Sequence, residues 1–237
     1  MRILAIDTAS DAATAAVTED DLLLGEYVLN HKKTHSQKIM VMIERLMSDL
    51  ELDVSDIDIF AAAKGPGSFT GLRIGIATAK ALAHSVNKPV VGVGTLEGIA
   101  YNLSAENVPI TVVMDARRSF VFNASYIFEG GVLQEITAPN VCGIEECVKR
   151  AGGGIFAGDG VNAYGGVIRD ILGEKAELAP PHLRMAHASS VAYAARIMAE
   201  NGKTMNYAEL VPEYLRLSQA EQELLKKQEL LKKQEAK

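Results

Sequence analysis

Cysteine is scarce in this chain. Its 237 residues include two, Cys142 and Cys147, and no tryptophan. Two thiols cannot complete a zinc site without other ligands, and no export signal precedes them, so both are expected as reduced thiols. No uninterrupted apolar run approaches the length that spans a bilayer, so no membrane partner is expected. Only four apolar residues separate Arg2 from Asp7, too few for a signal peptide, which points to the cytoplasm. Positive charge is also short. The formal net charge is −6 and no basic run precedes residue 225, which argues against a broad nucleic-acid surface on this chain alone.

What is present is an ordinary globular mixture, 48% hydrophobic and 23% charged, long enough for a real core. "RILAIDTAS" is a buried-strand run ending at Asp7, and "ATAAVTED" and "LLLGEYVLN" follow as two more strands. A helix over 36–50, a strand at "IDIFAAA", a helix over 70–84, a strand at "KPVVGVG" and a short helix over 96–102 complete a βββαβαβα order. The pattern then restarts. "PITVVMDARRSFVFNASYIFEGGVLQEIT" again gives strand, aspartate, turn and two strands, with Asp115 lying 108 residues after Asp7. A helix over 144–151, a strand at "GGIFAGDG" and a helix over 189–201 follow. The spacing predicts a duplicated α/β protein with a cleft between lobes over 1–106 and 107–217, and a charged helical tail over 218–237. In that tail only Leu217, Leu224 and Leu231 share a heptad spacing, which gives no coiled-coil seam.

"KGPGSFTGLRIGIATAKALA", residues 64–83, looks like a phosphate-cradling turn ahead of a helix. The P-loop spacing fails, because Lys64 precedes the glycines, and the dinucleotide fingerprint fails at Thr70. Gly71, Gly75, Ala79 and Ala83 instead fall four apart, a side-chain-free stripe that suits the close approach of another backbone. In the preceding helix Ile39, Ile43, Leu46 and Leu50 form one stripe, and Met40 and Met47 a second. This helix is either buried on two sides within its own lobe or half of a partner-binding pair. "HKKTH" suggests a metal through His31 and His35, but Thr34 and Gln37 spell a capping box that puts the two histidines on different faces. Gly158, Asp159 and Gly160 read as a strand-end turn. Asp7 and Asp115 could hold magnesium in the cleft or bond nearby backbone N–H groups.

"ILAIDTAS…TAAV", the glycine-rich segment, "GVGTLEGIA", "MDARRSFVF", "FAGDG" and "LVPEYLRLSQA" resemble, in order and over nearly the whole chain, the TsaB (YeaZ) family. The resemblance implies the duplicated actin-like (sugar kinase/Hsp70/actin, ASKHA) fold. It implies a non-catalytic subunit in threonylcarbamoylation of adenosine 37 of tRNAs reading ANN codons. Its paralogue TsaD carries the transferase chemistry, the ATPase TsaE joins both, and tRNA is reached only through the complex. TsaD-type proteins hold a metal with a histidine pair where this chain has Thr95 and Ile99, and isoleucine offers no donor atom. Asp159 stands near the expected phosphate position, where like charge disfavours a nucleotide. The resemblance therefore implies no cofactor and no metal, with Asp7, Asp115, Gly158, Asp159 and Gly160 as remnants of a cleft. It implies docking onto TsaD, or a homodimer without it, through Ile39, Met40, Ile43, Met47, Gly71, Gly75, Ala79 and Ala83. The rival readings are an active small-molecule kinase or ATPase using Asp7 and Asp115, a metallopeptidase, and a self-associating module.

Overall fold

The computed structural model describes residues 1–30 and 35–216; His31, on which the histidine-pair reading depends, and everything from residue 217 onward lie outside the described residues. β1 (Arg2–Asp7) is apolar on both faces, as the central strand of a doubly covered sheet must be. β2 (Ala12–Glu19) and β3 (Leu22–Asn30) add to it antiparallel on one side. β4 (Ile59–Gly65) and β5 (Val90–Gly94) add parallel on the other, giving the order β3-β2-β1-β4-β5. The second sheet repeats this arrangement element for element. β6 (Ile110–Asp115) is flanked by antiparallel β7 (Phe120–Glu129) and β8 (Val132–Gly143), and by parallel β9 (Gly154–Ala157) and β10 (Ala176–Leu178), in the order β8-β7-β6-β9-β10.

The side-chain period of two sorts each strand between two helical layers. Leu4 and Ile6 face α1 (His35–Asp49) and α2 (Phe69–Val86), while Ile3 and Ala5 face Val191, Ala192 and Ala195 of α6 (Ala188–Glu200). In the second sheet Ile110, Val112 and Met114 pack with Leu96 and Ile99 of α3 (Thr95–Ala100). Val113, Val121 and Phe156 turn the other way, onto α4 (Ile144–Ala151) and α5 (Gly160–Leu172). The layers run helix, sheet, helix, sheet, helix, and each half lends one middle helix to the other half's sheet. No helix among the described residues is long and apolar enough to cross a membrane.

Three expectations change. α5 was not anticipated, because its sequence GVNAYGGVIRDIL carries three glycines that weaken helix propensity; burial of Val161 and Ile168 stabilises it regardless. The second lobe does not hold everything over 107–217. α6 packs on the first sheet, and the segment after it runs along α2, pairing Met205 with Val90 and burying Leu210 against Gly92.

The third change concerns the small-residue stripe. Gly71, Gly75, Ala79 and Ala83 are buried in their own lobe and do not face outward. A Cβ at position 71 would fall 2.0 Å from the Thr8 carbonyl oxygen, and one at position 75 would fall 2.5 Å from Thr8 Oγ1. The backbone that approaches is the end of β1, and Thr8 Oγ1 donates to Gly71 O at 2.7 Å. Ile39, Ile43 and Met47 are likewise core residues, whereas Met40 is 48% exposed. The two methionines therefore do not share an outward stripe. Seven of the eight residues expected at a partner surface hold this lobe together instead.

One carboxylate caps the start of α6, beside Thr14 Oγ1, which accepts from the Ala188 N–H at 3.1 Å. Glu26 on β3 accepts from Ser189 N at 3.0 Å and from Ser189 Oγ at 3.0 Å, so it caps the helix from another element. His187 Nδ1 lies 3.2 Å from Glu26 Oε2, and its Nε2 lies 2.8 Å from the His182 carbonyl oxygen. Only the imidazolium donates to both acceptors. The bond to Glu26 raises the His187 pKa, and the His182 bond adds to this against burial. Burial opposes ionisation of Glu26, but the bonds from His187 and Ser189 outweigh it and hold Glu26 below the usual range.

Gly75→Leu is expected to unfold the isolated protein or lower its melting temperature by more than 10 °C, because overpacking here meets a strand end that cannot retreat. Thermal unfolding checks it, and a variant melting like wild type would contradict this packing. His187→Ala is expected to cost about 1–2 kcal/mol at pH 5.5. A raised histidine pKa gives stability that is complete below the unfolded value of 6.5 and lost as pH rises through the folded one, so the difference should shrink toward pH 9. Urea unfolding at the two pH values checks it.

Candidate functional site at the interlobe cleft

β1 and β6 both end in an aspartate, and both aspartates perform the same local task. Asp7 Oδ1 accepts from the Ala9 N–H at 2.8 Å, and Asp115 Oδ1 accepts from the Arg117 N–H at 2.8 Å. Each bond closes the turn that sends the chain into the next strand. Asp115 also accepts from the Tyr164 hydroxyl at 2.9 Å, and its own N–H donates to Asp159 Oδ1 at 3.0 Å. Asp159 thereby ties the start of α5 to the end of β6.

The acids stack in depth, with Asp115 and Asp159 lining the cleft and Asp7 buried beneath it. Asp7 is 1% exposed, and its Oδ2 has no hydrogen-bond partner. Burial pushes its carboxyl up to about 7; the Ala9 bond opposes the rise and the Asp159 charge adds to it. Burial pushes Asp159 up to about 6, with Asp11 and Asp115 adding negative field. Two carboxyls that titrate near neutrality can hold or pass a proton, and when both are ionised they repel phosphate. Among the described residues, no three His, Cys, Asp or Glu side chains converge to hold a metal.

Gly158 and Gly160 serve packing. A Cβ at Gly158, whose φ is +94°, would fall 2.1 Å from the Val113 carbonyl oxygen; one at Gly160 would fall 2.9 Å from the same atom. Thr95 and Ile99 are sealed in the core at 0% and 2% exposure, and Thr95 Oγ1 has no hydrogen-bond partner. The Cys147 thiol is pushed up to about 12 by burial, which leaves it unreactive.

Above this floor opens a cleft of about 780 Å³, lined from the first lobe by Asp11 and Phe69 and from the second by Asp115 and Asp159, with Arg117, Arg118 and Arg216 also facing it. The C-terminal segment supplies a third wall. Glu213 N donates to Lys64 O at 2.7 Å, Tyr214 stacks on Phe69 at 4.4 Å, and Arg216 Nη1 donates to Ala116 O at 2.7 Å. This strap starts on the first lobe and ends on the second. Sequence reasoning found both strand-end aspartates but missed the strap, because its partners lie 100 or more residues away.

Two matching sheets with shared middle helices and a cleft at their strand ends define the actin-like class of two-lobed α/β proteins. The chain matches the family model for TsaD, tRNA N6-adenosine threonylcarbamoyltransferase, over residues 23–224. It is 31% identical to the tRNA threonylcarbamoyladenosine biosynthesis protein TsaB of Bacillus subtilis, across 96% of this chain and 100% of that one. The solved structure of YeaZ from Pseudomonas aeruginosa superimposes with a TM-score of 0.77 at 23% identity, covering 90% of this chain and 99% of that one. Component A of (R)-2-hydroxyglutaryl-CoA dehydratase from Acidaminococcus fermentans shares the fold at a TM-score of 0.50 and 12% identity, covering 84% of this chain and 99% of that one. The chain belongs to the TsaB (YeaZ) family.

Asp7→Asn keeps the acceptor for Ala9 and removes the ionisable group. An acid whose folded pKa is raised costs stability as pH climbs from its unfolded value of 3.8 to about 7. The variant is expected to match wild type near pH 4 and to exceed it above pH 8, by about 4 kcal/mol at most. Chemical denaturation across that range checks both the sign and the window.

Proposed function

We propose that this protein serves threonylcarbamoyladenosine synthesis on tRNA as a non-catalytic subunit that docks onto a TsaD-type transferase. The names of its relatives supply the pathway. The core placement of Thr95 and Ile99, where the transferase branch carries its metal ligands, supports the absence of that chemistry from this chain. The TsaE ATPase would join the assembled pair, tRNA would be met by the complex as a whole, and a homodimer would use the same surface when the transferase is missing.

The observation that carries the reading is the outer face of the helix pair. With the glycine stripe turned inward, the exposed apolar residues are Met40 and Val41 on α1, at 48% and 58% exposure, and Ala77 and Ala81 on the neighbouring α2, set among exposed Glu44, Arg45 and Arg73. Two alanines four apart leave a shallow track for a partner helix, flanked by a flexible methionine that can repack against it. Exposed apolar groups on adjacent helices are otherwise costly to leave in water.

Ala77→Arg is expected to weaken capture of the transferase about a hundredfold, because a long charged side chain would stand at the centre of the contact. Its melting temperature should stay within about 2 °C of wild type, since position 77 is exposed. Titration against the transferase, followed by a tRNA modification assay with each subunit omitted, tests the proposal. Full modification without this chain would refute it. The cleft acids favour a second reading, an actin-like small-molecule kinase or ATPase. Stoichiometric nucleotide binding with magnesium by the lone chain would favour that reading.

A further inference from the structure

The mouth of the cleft is built differently from its floor. In the first lobe the turn after Asp7 is Thr8-Ala9-Ser10-Asp11; in the second, the matching turn after Asp115 is Ala116-Arg117-Arg118-Ser119. Arg117, Arg118 and Ser119 hold φ of 69°, 56° and 62°, three consecutive left-handed non-glycine residues. Such a run is strained for non-glycine residues, and it persists because flanking bonds over-determine it. The Arg117 N–H is held by Asp115 Oδ1, and Ser119 O accepts from the Ile144 N–H at 3.0 Å. The result pushes two guanidiniums outward. The Arg117 side chain is 77% exposed, with a loose 3.5 Å contact to Asp115. Arg118 is exposed and pairs with no carboxylate among the described residues. Arg216 comes up beside them, bound to Ala116 O and 5.9 Å from the centre of the Phe120 ring, and Phe120 is itself 46% exposed.

We infer that this rim, Arg117, Arg118 and Arg216 around the exposed Phe120, is a contact for the sugar-phosphate backbone of RNA. The inference rests on the reading of the protein as a subunit of a tRNA-modifying complex and adds to it a direct touch by this chain. Three guanidiniums beside one exposed ring form the combination that grips unpaired RNA, with the cations on phosphates and a base stacked on the aromatic face. The three arginines line the cleft together with Asp115 and Asp159. A nucleotide held inside it would bring its phosphates close to both acids, where like charge opposes them, whereas a backbone crossing the mouth meets the outward guanidiniums first. Among the described residues, the one fully exposed carboxylate lining the cleft, Asp11, belongs to the opposite lobe. The patch is small, which agrees with a net charge of −6 and with no broad basic surface.

The test is binding of an unmodified anticodon stem-loop RNA to the full chain, alone and assembled with the transferase, over a series of salt concentrations. Arg117→Ala/Arg118→Ala, two exposed changes outside the helix pair, should weaken RNA binding about tenfold. It should also reduce the slope of log affinity against log salt by about 2, one for each lost phosphate contact. Capture of the transferase should be unchanged. Phe120→Ala should weaken binding with little change in slope, since stacking releases no counterions. Equal affinity and equal slope for wild type and the double variant, in both settings, overturns the inference. Competition by ATP or inorganic phosphate as strong as by RNA would also overturn it, marking the rim as a small-anion site. If the chain captures no transferase, the docking proposal fails, while the measurement on the free chain still decides this one.

Discussion

The approach of the end of β1 to the first turns of α2 is the contact on which the rest of the molecule depends. Thr8 lies so close to Gly71 and Gly75 that neither position has room for a methyl group, and Gly67 is pressed as hard against Ala9 O, 2.5 Å from where its Cβ would be. Ser68 N closes the junction by donating to Ala9 O at 2.7 Å. Strand and helix are locked at one point, which fixes where Asp7 ends, how the turn into β2 leaves, and where the cleft floor lies. The second lobe solves the same problem with Gly158 and Gly160 against Val113. Duplication is visible in the strand order and also in this shared way of closing a helix onto a strand end.

Much of this was legible in the sequence because it is local. Alternation and apolar runs mark nearly every strand, and the spacing from Asp7 to Asp115 marks the repeat. Periodicity also grouped Gly71, Gly75, Ala79 and Ala83 correctly on one face of a helix. It could not say which side that face meets. A stripe without side chains suits a neighbour within the chain as well as one outside it, and only the position of Thr8 distinguishes them. The same limit separates Met40 from Met47, since a helix edge can turn to water or to core with the same residues. α6 and the strap went to the wrong lobe for a related reason. Proximity in sequence suggested the second sheet, but the alanine face of α6 fits the small-residue face of the first, where Ala5, Ala16 and Ala61 leave space for it.

The middle layer ties the halves together more tightly than two lobes on a hinge would need. α3 leaves the first half to cover the second sheet, α6 leaves the second half to cover the first, and the two helices touch where Gly98 faces Val191. Neither half buries its own sheet without the other. The strap adds a further tie through Arg216 and Ala116. Opening the cleft therefore means sliding packed helices, which costs buried apolar area, so the lobes should hold one relative position.

This arrangement gives a physical reason for the cleft to keep its acids and glycines whether or not any chemistry is done there. Asp7 and Asp115 end the two central strands, and each carries the bond that turns its chain into the next strand. Asp159 anchors α5 through the backbone of Asp115. Removing the acceptor oxygen at any of them would loosen a turn or a helix start before it altered a ligand. The glycines beside them are held equally firmly by close backbone contact. The same residues that face the cleft thus also hold the fold together, while the outer surfaces carry no such packing duty. Those surfaces are the outer face of α1 and α2 and the arginine rim, and they are where the functional proposals for this chain converge.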